Sequence, residues 1–386
     1  MQAVEWLYYG GDPGGMRYSA AADINRTNVN KLILAWSLRA GDVSPEMFDP
    51  DGHRAGNLRE DGTPIASQRG ASCGSCHTTD MRFESTAITR DSTLYISTPR
   101  NRILAIDAGT GNIRWTFDPG IDATLRYAED FVSRGVASWI DHEAPRGHEC
   151  AERLFVATID ARLIAVNAQT GKRCLGFGDD GVINLDEGGS LEGVEVAKGQ
   201  YVVTSPPAVA GGVVVVGSSI APRVRAQVHG VVRGFDARTG ALRWSFDPIQ
   251  WYQPIDSQRP TSGYMKASGG GNVWSIMSFD SARDMVFLPT SGPAPSHYGG
   301  VRSGANPHAN SVVALRATTG ELVWSFQVVH HDLWDYDVAA QPMLVKLRLN
   351  GLDRDVVVVG TKMGMIFVLD RDSGVPVLPV EERGFS

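Results

Sequence analysis

No apolar run in this sequence approaches the ~20 residues that a membrane-spanning helix needs. Excess positive charge is also missing. The formal net charge is −7, which argues against nucleic acid as a partner, because phosphate contacts need clustered Lys and Arg. The first residues, Met1-Gln2-Ala3-Val4-Glu5-Trp6, hold no basic stretch followed by an apolar one. A signal peptide is therefore not expected in this chain; the protein is either cytoplasmic or its leader is absent from the chain. Cysteine is scarce, with four in 386 residues. Cys73 and Cys76 form a CxxCH sequence with His77. Cys150 and Cys174 stand apart, each beside an expected strand. That second pair reads either as a disulfide, which requires an oxidising compartment, or as two buried thiols.

Glycine and proline are plentiful, at 43 and 20, and short Val/Ile/Leu runs lie between them, which favours an all-β chain. One pattern repeats: an apolar run, often an acidic residue, two variable positions, Thr/Ser-Gly, then a short strand often carrying Trp. It reads LAIDAGTGNIRWTF at 104–117, IAVNAQTGKRCLGF at 164–177, RGFDARTGALRWSF at 233–246 and VALRATTGELVWSF at 313–326. A degenerate copy, FVLDRDSGVPVLPV, occupies 367–380. Each copy predicts a hairpin in which Asp and Thr bond the local backbone and Gly takes positive φ. The following Trp is expected to anchor the unit. A small sheet cannot bury its own apolar faces, so such units stack radially, which predicts a β-propeller of about five blades. A further strand is expected to end at Trp36, in KLILAWSL. The turns are spaced 54 to 80 residues apart, more than the ~40–50 residues of a minimal blade, so long loops that carry function are expected. No Gly-His…Trp-Asp signature repeats, which argues against a WD-type scaffold.

Residues 43–80 interrupt this pattern as an insertion. Cys73-x-x-Cys76-His77 matches the attachment pattern of a c-type haem, with His77 as an iron ligand and Met81 or Met47 as the sixth. Against haem, some 35 residues with little apolar content cannot wrap it as an independent domain. A loop disulfide and a chance match stay open beside it.

Across nearly the whole chain the sequence resembles PQQ-dependent dehydrogenases (quinoproteins), closest to the branch of membrane-bound glucose, quinate and polyol dehydrogenases. The resemblance rests on GGDPGGMRYS, VNKLILAWSLRAGD, LYISTPRNRILAIDAGTG, TSPPAVAGGVVVVGSS, NVWSIMSFD, VVHHDLWDYD and TKMGMIFVLDR. The most specific element is HHDLWDYD, whose Asp335 precedes Lys362 by 27 residues. The resemblance implies an eight-bladed propeller, of which 1–386 is one partial unit. Family members continue past the point where this chain ends, so it is expected to be truncated or to be one part of a larger assembly. It also implies periplasmic oxidation of an alcohol, polyol or sugar, with electrons passed to a quinone or cytochrome. Membrane association is expected only through a segment or partner outside this chain.

The resemblance carries roles residue by residue. Asp335 matches the general base that takes the substrate hydroxyl proton, with Asp337 and His331 as supporting neighbours. Lys362 matches the cation at the quinone oxygens, where charge develops on reduction. Trp274 matches the flat floor beneath the PQQ ring, and Arg134 matches an arginine near its carboxylates. Glu84, Thr204 and Ser219 match further cofactor contacts, and Cys150 with Cys174 matches a disulfide pair. The metal positions depart from the pattern. Relatives bind Ca²⁺ or Mg²⁺ through oxygen ligands, but here Ala221, Pro222 and Gly292 stand where those side chains are expected. The alternative is a propeller that only binds or scaffolds, having lost its metal ligands.

Overall fold

The structure, a computed structural model, describes residues 5–42, 81–123, 125–145, 147–187, 196–220, 228–249, 269–300, 302 and 304–382. Cys73, Cys76, His77, Met47, Ala221 and Pro222 lie outside these residues. The described chain is almost entirely β, with one short helical turn at Val29–Lys31. Most of its strands form consecutive antiparallel meanders; apart from these, Met81–Phe83 pairs in parallel with Phe131–Ser133, and Tyr201–Val202 pairs with Ser219–Ile220. Blade 1 comprises Ile88–Arg90, Thr93–Ser97, Ile103–Asp107 and Ile113–Phe117. Blade 2 comprises Ala137–Ile140, Glu152–Ala157, Arg162–Asn167 and Val182–Asn184. Blade 3 comprises Ala208–Ala210, Val213–Val216, Val232–Asp236 and Leu242–Phe246, and blade 4 Ser278–Asp280, Met285–Pro289, Ser311–Arg316 and Leu322–Gln327. Blade 5 has three strands among the described residues, Met343–Leu349, Leu352–Gly360 and Ile366–Asp370.

The hydrophobic cores lie between blades, not within them. Leu154, Val156, Ile164 and Val166 of blade 2 pack with Ile103 and Ala105 of blade 1. Val213 and Val215 of blade 3 pack with Val286, Leu288 and Val313 of blade 4. Phe287 and Val312 of blade 4 pack with Val357, Val359 and Leu369 of blade 5. The sheets of blades 2, 3 and 4 are thus apolar on both faces, as stacking requires.

The tryptophans of the repeat do more than anchor their own blades. Each lies flat on the Gly turn of the next blade. A Cβ at Gly171 would fall 2.5 Å from the Trp115 ring, one at Gly320 2.6 Å from Trp244, and one at Gly374 2.6 Å from Trp324. The indole N–H then donates to a carbonyl of that turn: Trp115 to Ala168 (3.1 Å), Trp244 to Ala317 (3.0 Å) and Trp324 to Arg371 (3.0 Å). Trp36 docks on blade 1 in the same way, against Gly111 and the Ala108 carbonyl. The strand expected before it does not form. Residues 32–38 have no strand assignment, because no described strand lies beside them to take their backbone bonds, and Ile33 and Leu34 are exposed.

Blade 2 has no such Trp, and its junction with blade 3 is built differently. The buried Arg153 stacks over Trp139 and donates to the carbonyls of Ala237 (2.9 Å) and Arg238 (2.6 Å) in the blade 3 turn. The Cys150–Cys174 disulfide, with Cα atoms 5.8 Å apart, closes blade 2 beside Phe155 and Phe177. The N-terminal segment runs along the first strands of several blades. Trp6 exchanges bonds with Thr89 of blade 1, the Pro13 carbonyl accepts from Phe279 N–H of blade 4, and the Gly14 carbonyl accepts from Leu344 N–H of blade 5. GGDPGG is therefore a structural plug: a Cβ at Gly15 would strike the Gln341 side chain at 2.5 Å.

In the turns, Asp107 accepts from Gly109 N–H, Thr110 N–H, the Thr110 hydroxyl and Arg114. Asn167 takes the same backbone bonds in blade 2. The Arg114 guanidinium, with Thr110, draws the Asp107 carboxyl down to about 2. Its folded value lies below the unfolded ~3.9, so its contribution is complete above about pH 4 and is lost as pH falls toward about 2. Asp107→Asn keeps the acceptor, as Asn167 does, and is expected to flatten this acid limb when denaturation at about pH 6 and about pH 3 is compared; an unchanged acid limb would contradict it. Docking has its own test. Gly320 and Gly351 both have positive φ, but a Cβ at Gly351 meets nothing within 4 Å. Gly320→Ala is expected to cost about 1–3 kcal/mol more than Gly351→Ala by chemical denaturation. Equal losses would mean that backbone strain, not the Trp244 contact, sets the requirement for Gly.

Candidate active site

The residues singled out for chemistry occupy equivalent places in successive blades. Glu84, Arg134, Thr204 and Trp274 each lie just ahead of the first strand of blades 1, 2, 3 and 4. Asp335 and Asp337 lie in the loop leading to blade 5, and Lys362 follows its second strand, Leu352–Gly360. Stacking the blades brings these positions into one arc.

Contacts run along the arc. Arg134 pairs with Glu84 (3.0 Å), donates to the Thr204 hydroxyl (2.7 Å) and sits 5.4 Å from the centre of the Trp274 ring. Ser205 donates to the Trp274 carbonyl at 2.6 Å. The Trp274 indole N–H donates to Asp337 Oδ2 at 3.1 Å, and Gly292 N–H donates to Asp337 Oδ1 at 2.7 Å. Lys362 Nζ lies 3.5 Å from Asp337 Oδ2, 3.5 Å from Asp335 Oδ2, and donates to the Asp335 carbonyl at 2.7 Å. Ser219 lies in the short strand Ser219–Ile220, and its hydroxyl donates to Glu129 at 2.7 Å.

The Asp335 side chain is 39% exposed and Asp337 only 7%, so the first faces open space and the second is a buried support. Asp335 has φ +59° and His331 φ +48°, a backbone region that side chains rarely adopt and that persists only when neighbours impose it. Here the imposition comes from Asp332, which sequence reading passed over. Its buried carboxylate accepts from Trp334 N–H (2.9 Å), Tyr336 N–H (2.9 Å) and the Asn310 amide (2.9 Å). The Asp332 carbonyl in turn accepts from the buried Arg302 at 2.6 Å. Burial pushes the Arg302 guanidinium below its usual range, with Asp332 opposing that. His331 is held by the Gly304 carbonyl and so supports the loop.

The profile of the glucose/ethanol/alcohol dehydrogenase β-propeller domain, a PQQ family, matches residues 6–386. The chain belongs to the PQQ-dependent dehydrogenase family. It is similar to the quinate/shikimate dehydrogenase (quinone) of Acinetobacter baylyi, at 37% identity over 98% of this chain and 44% of that protein. It is also similar to the quinoprotein glucose dehydrogenase of Escherichia coli, at 34% identity over 98% and 44%. Among solved structures, the quinohemoprotein alcohol dehydrogenase of Comamonas testosteroni matches with a TM-score of 0.72 and 28% identity, over 97% of this chain and 48% of that one. The chain thus spans about half the length of these relatives.

The described residues fit a flat, polyanionic quinone. The Trp274 ring, pinned through its N–H, is an aromatic surface, with Arg134 5.4 Å from its centre and Lys362 sharing its Asp337 acceptor as nearby cations. A divalent ion finds less: among the described residues no group of three or more His, Cys, Asp or Glu is arranged to hold a metal. Gly292 contributes its N–H to Asp337 and no side-chain oxygen.

Asp332→Ala would leave two loop N–H groups and the Asn310 amide without their acceptor, at ~1–3 kcal/mol for each buried group left unpaired. The expected outcome is a clear loss of stability together with faster hydrogen exchange across 331–337. Wild-type exchange there would show that the loop is held by something other than Asp332.

Proposed function

We propose that this chain carries the cofactor floor and the base of a PQQ-dependent dehydrogenase that oxidises an alcohol, polyol or sugar. The observation that carries this reading is the Lys362 bridge between Asp335 and Asp337, with Asp337 also holding the Trp274 indole. PQQ, when bound, is the two-electron acceptor for the substrate carbon. Trp274 would offer its ring face to the cofactor, Lys362 would supply a cation to the quinone oxygens and Arg134 one to a carboxylate, with Glu84 and Thr204 fixing Arg134. Asp335, the more exposed carboxylate, receives the proton of the substrate hydroxyl. The buried Asp337 has both oxygens engaged and is unsuited to that task.

Electrons then pass to a respiratory acceptor, a quinone or a cytochrome; the Acinetobacter relative carries "quinone" in its name. A periplasmic location suits the Cys150–Cys174 disulfide, which persists in oxidising compartments. Among the described residues no helix is long and apolar enough to cross a membrane. A non-catalytic scaffold would have no use for a cation shared between two carboxylates beside an aromatic floor.

In the full-length protein, Asp335→Asn is expected to lower turnover by ~10²–10⁴ while PQQ affinity stays near wild type. Lys362→Ala should weaken both. The checks are steady-state rates at saturating PQQ and equilibrium dialysis of the cofactor. Wild-type turnover in Asp335→Asn would remove Asp335 as the base.

A further inference from the structure

Asp337 sits where two blades meet and is bonded to both. Its Oδ1 is fixed by the Gly292 N–H, which follows the second strand of blade 4. That bond aims Oδ2 at two groups at once: the Trp274 N–H at 3.1 Å, ahead of blade 4, and the Lys362 ammonium at 3.5 Å, from blade 5. The side chain is 7% exposed. A Cβ at Gly292 would sit 3.5 Å from Asp337 Oδ1 and 3.2 Å from Asp332 Oδ2, so glycine there lets the backbone approach both carboxylates.

We propose that Asp337 is a positioning residue: its carboxylate fixes the Trp274 ring plane and the Lys362 ammonium relative to one another, and shares that ammonium with Asp335, 3.5 Å from each carboxylate, so that it is not drawn onto Asp335 alone. The proposal rests on the reading of Trp274 and Lys362 as cofactor-holding residues. Its chemical basis is acceptor count. Three donors converge on Asp337, and a carboxylate has two oxygens, all acceptor, to meet them. An amide has one acceptor and one donor, so in Asp337→Asn at least one donor faces an N–H. The remaining contacts of Lys362 are both with Asp335, its carbonyl and its Oδ2. Without the pull of Asp337, the ammonium closes on the Asp335 carboxylate and occupies the oxygens that receive the substrate proton. The indole, without its acceptor, loses the tether that sets its plane.

The test uses the full-length protein with Asp337→Asn, near-isosteric and chosen to keep the fold, and Asp337→Ala as the stronger change. Without cofactor, the indole N–H band of Trp274 is read by ultraviolet resonance Raman, assigned by difference from Trp274→Phe. With PQQ as the probe, its Kd is measured for Asp337→Asn, Trp274→Phe and the double variant. The expected results are an indole band shifted toward weaker hydrogen bonding and a Kd raised about tenfold, with most of that rise absent in the Trp274→Phe background. In turnover, kcat falls more than KM for the alcohol changes. An unmoved indole band, or an equal Kd effect in both backgrounds, overturns the proposal. If wild-type protein itself fails to bind PQQ, the functional reading falls, and the Raman band alone still decides whether Asp337 holds Trp274.

Discussion

The structure depends on one contact: the indole of one blade laid on the glycine turn of the next. The ring fills the space a side chain would take, and its N–H closes a carbonyl that the turn leaves open. A sheet with two apolar faces is unstable alone and gains its core only from a neighbour. The docking sets how that neighbour is placed. Where blade 2 lacks the Trp, Arg153 supplies the N–H groups instead and reaches the same turn. The junction survives a change of residue because the requirement is a donor at a fixed place over the turn, together with apolar cover.

The site follows from that placement. Loops opening successive blades are brought together, so Arg134 becomes a neighbour of Thr204, 70 positions away in sequence, and of Trp274, 140 positions away. The blade scaffold brings backbones near each other, and the carboxylates then set side-chain geometry. Asp332 turns the loop back through N–H bonds and imposes positive φ on Asp335. Asp337 joins the aromatic floor to the lysine. Three aspartates in a six-residue stretch thus divide the work between a buried clamp, an exposed carboxylate and a buried tether.

Much of this was legible in the sequence. The Asp-x-x-Thr-Gly turns bond as their composition implies, because those bonds are local and need no partner from elsewhere in the chain. The resemblance correctly paired Cys150 with Cys174, which spacing alone left open. What escaped was non-local. Trp274 and the repeat tryptophans were separable by the missing Thr-Gly turn, but not the fact that each repeat Trp serves the next blade. The strand expected before Trp36 needed a neighbour that a single-strand pattern does not specify. GGDPGG read as part of a resemblance, and its close glycine packing against Gln341 emerges only when the segment meets the blades. The Ser219 hydroxyl bonds Glu129, 90 positions away in sequence, a pairing that no motif announces. Asp332 and Asp335 look alike in sequence; burial and backbone N–H partners separate them.

On the proposed reading, blade stacking builds a PQQ site on Trp274. An experimental structure of the full-length protein with PQQ bound tests it most directly. The account predicts the ring system lying flat over the Trp274 indole, Lys362 Nζ within hydrogen-bond distance of the quinone oxygens, and Asp335 open toward the substrate side. Cofactor density elsewhere, or Trp274 turned away from it with the Asp337 bond broken, would contradict the account.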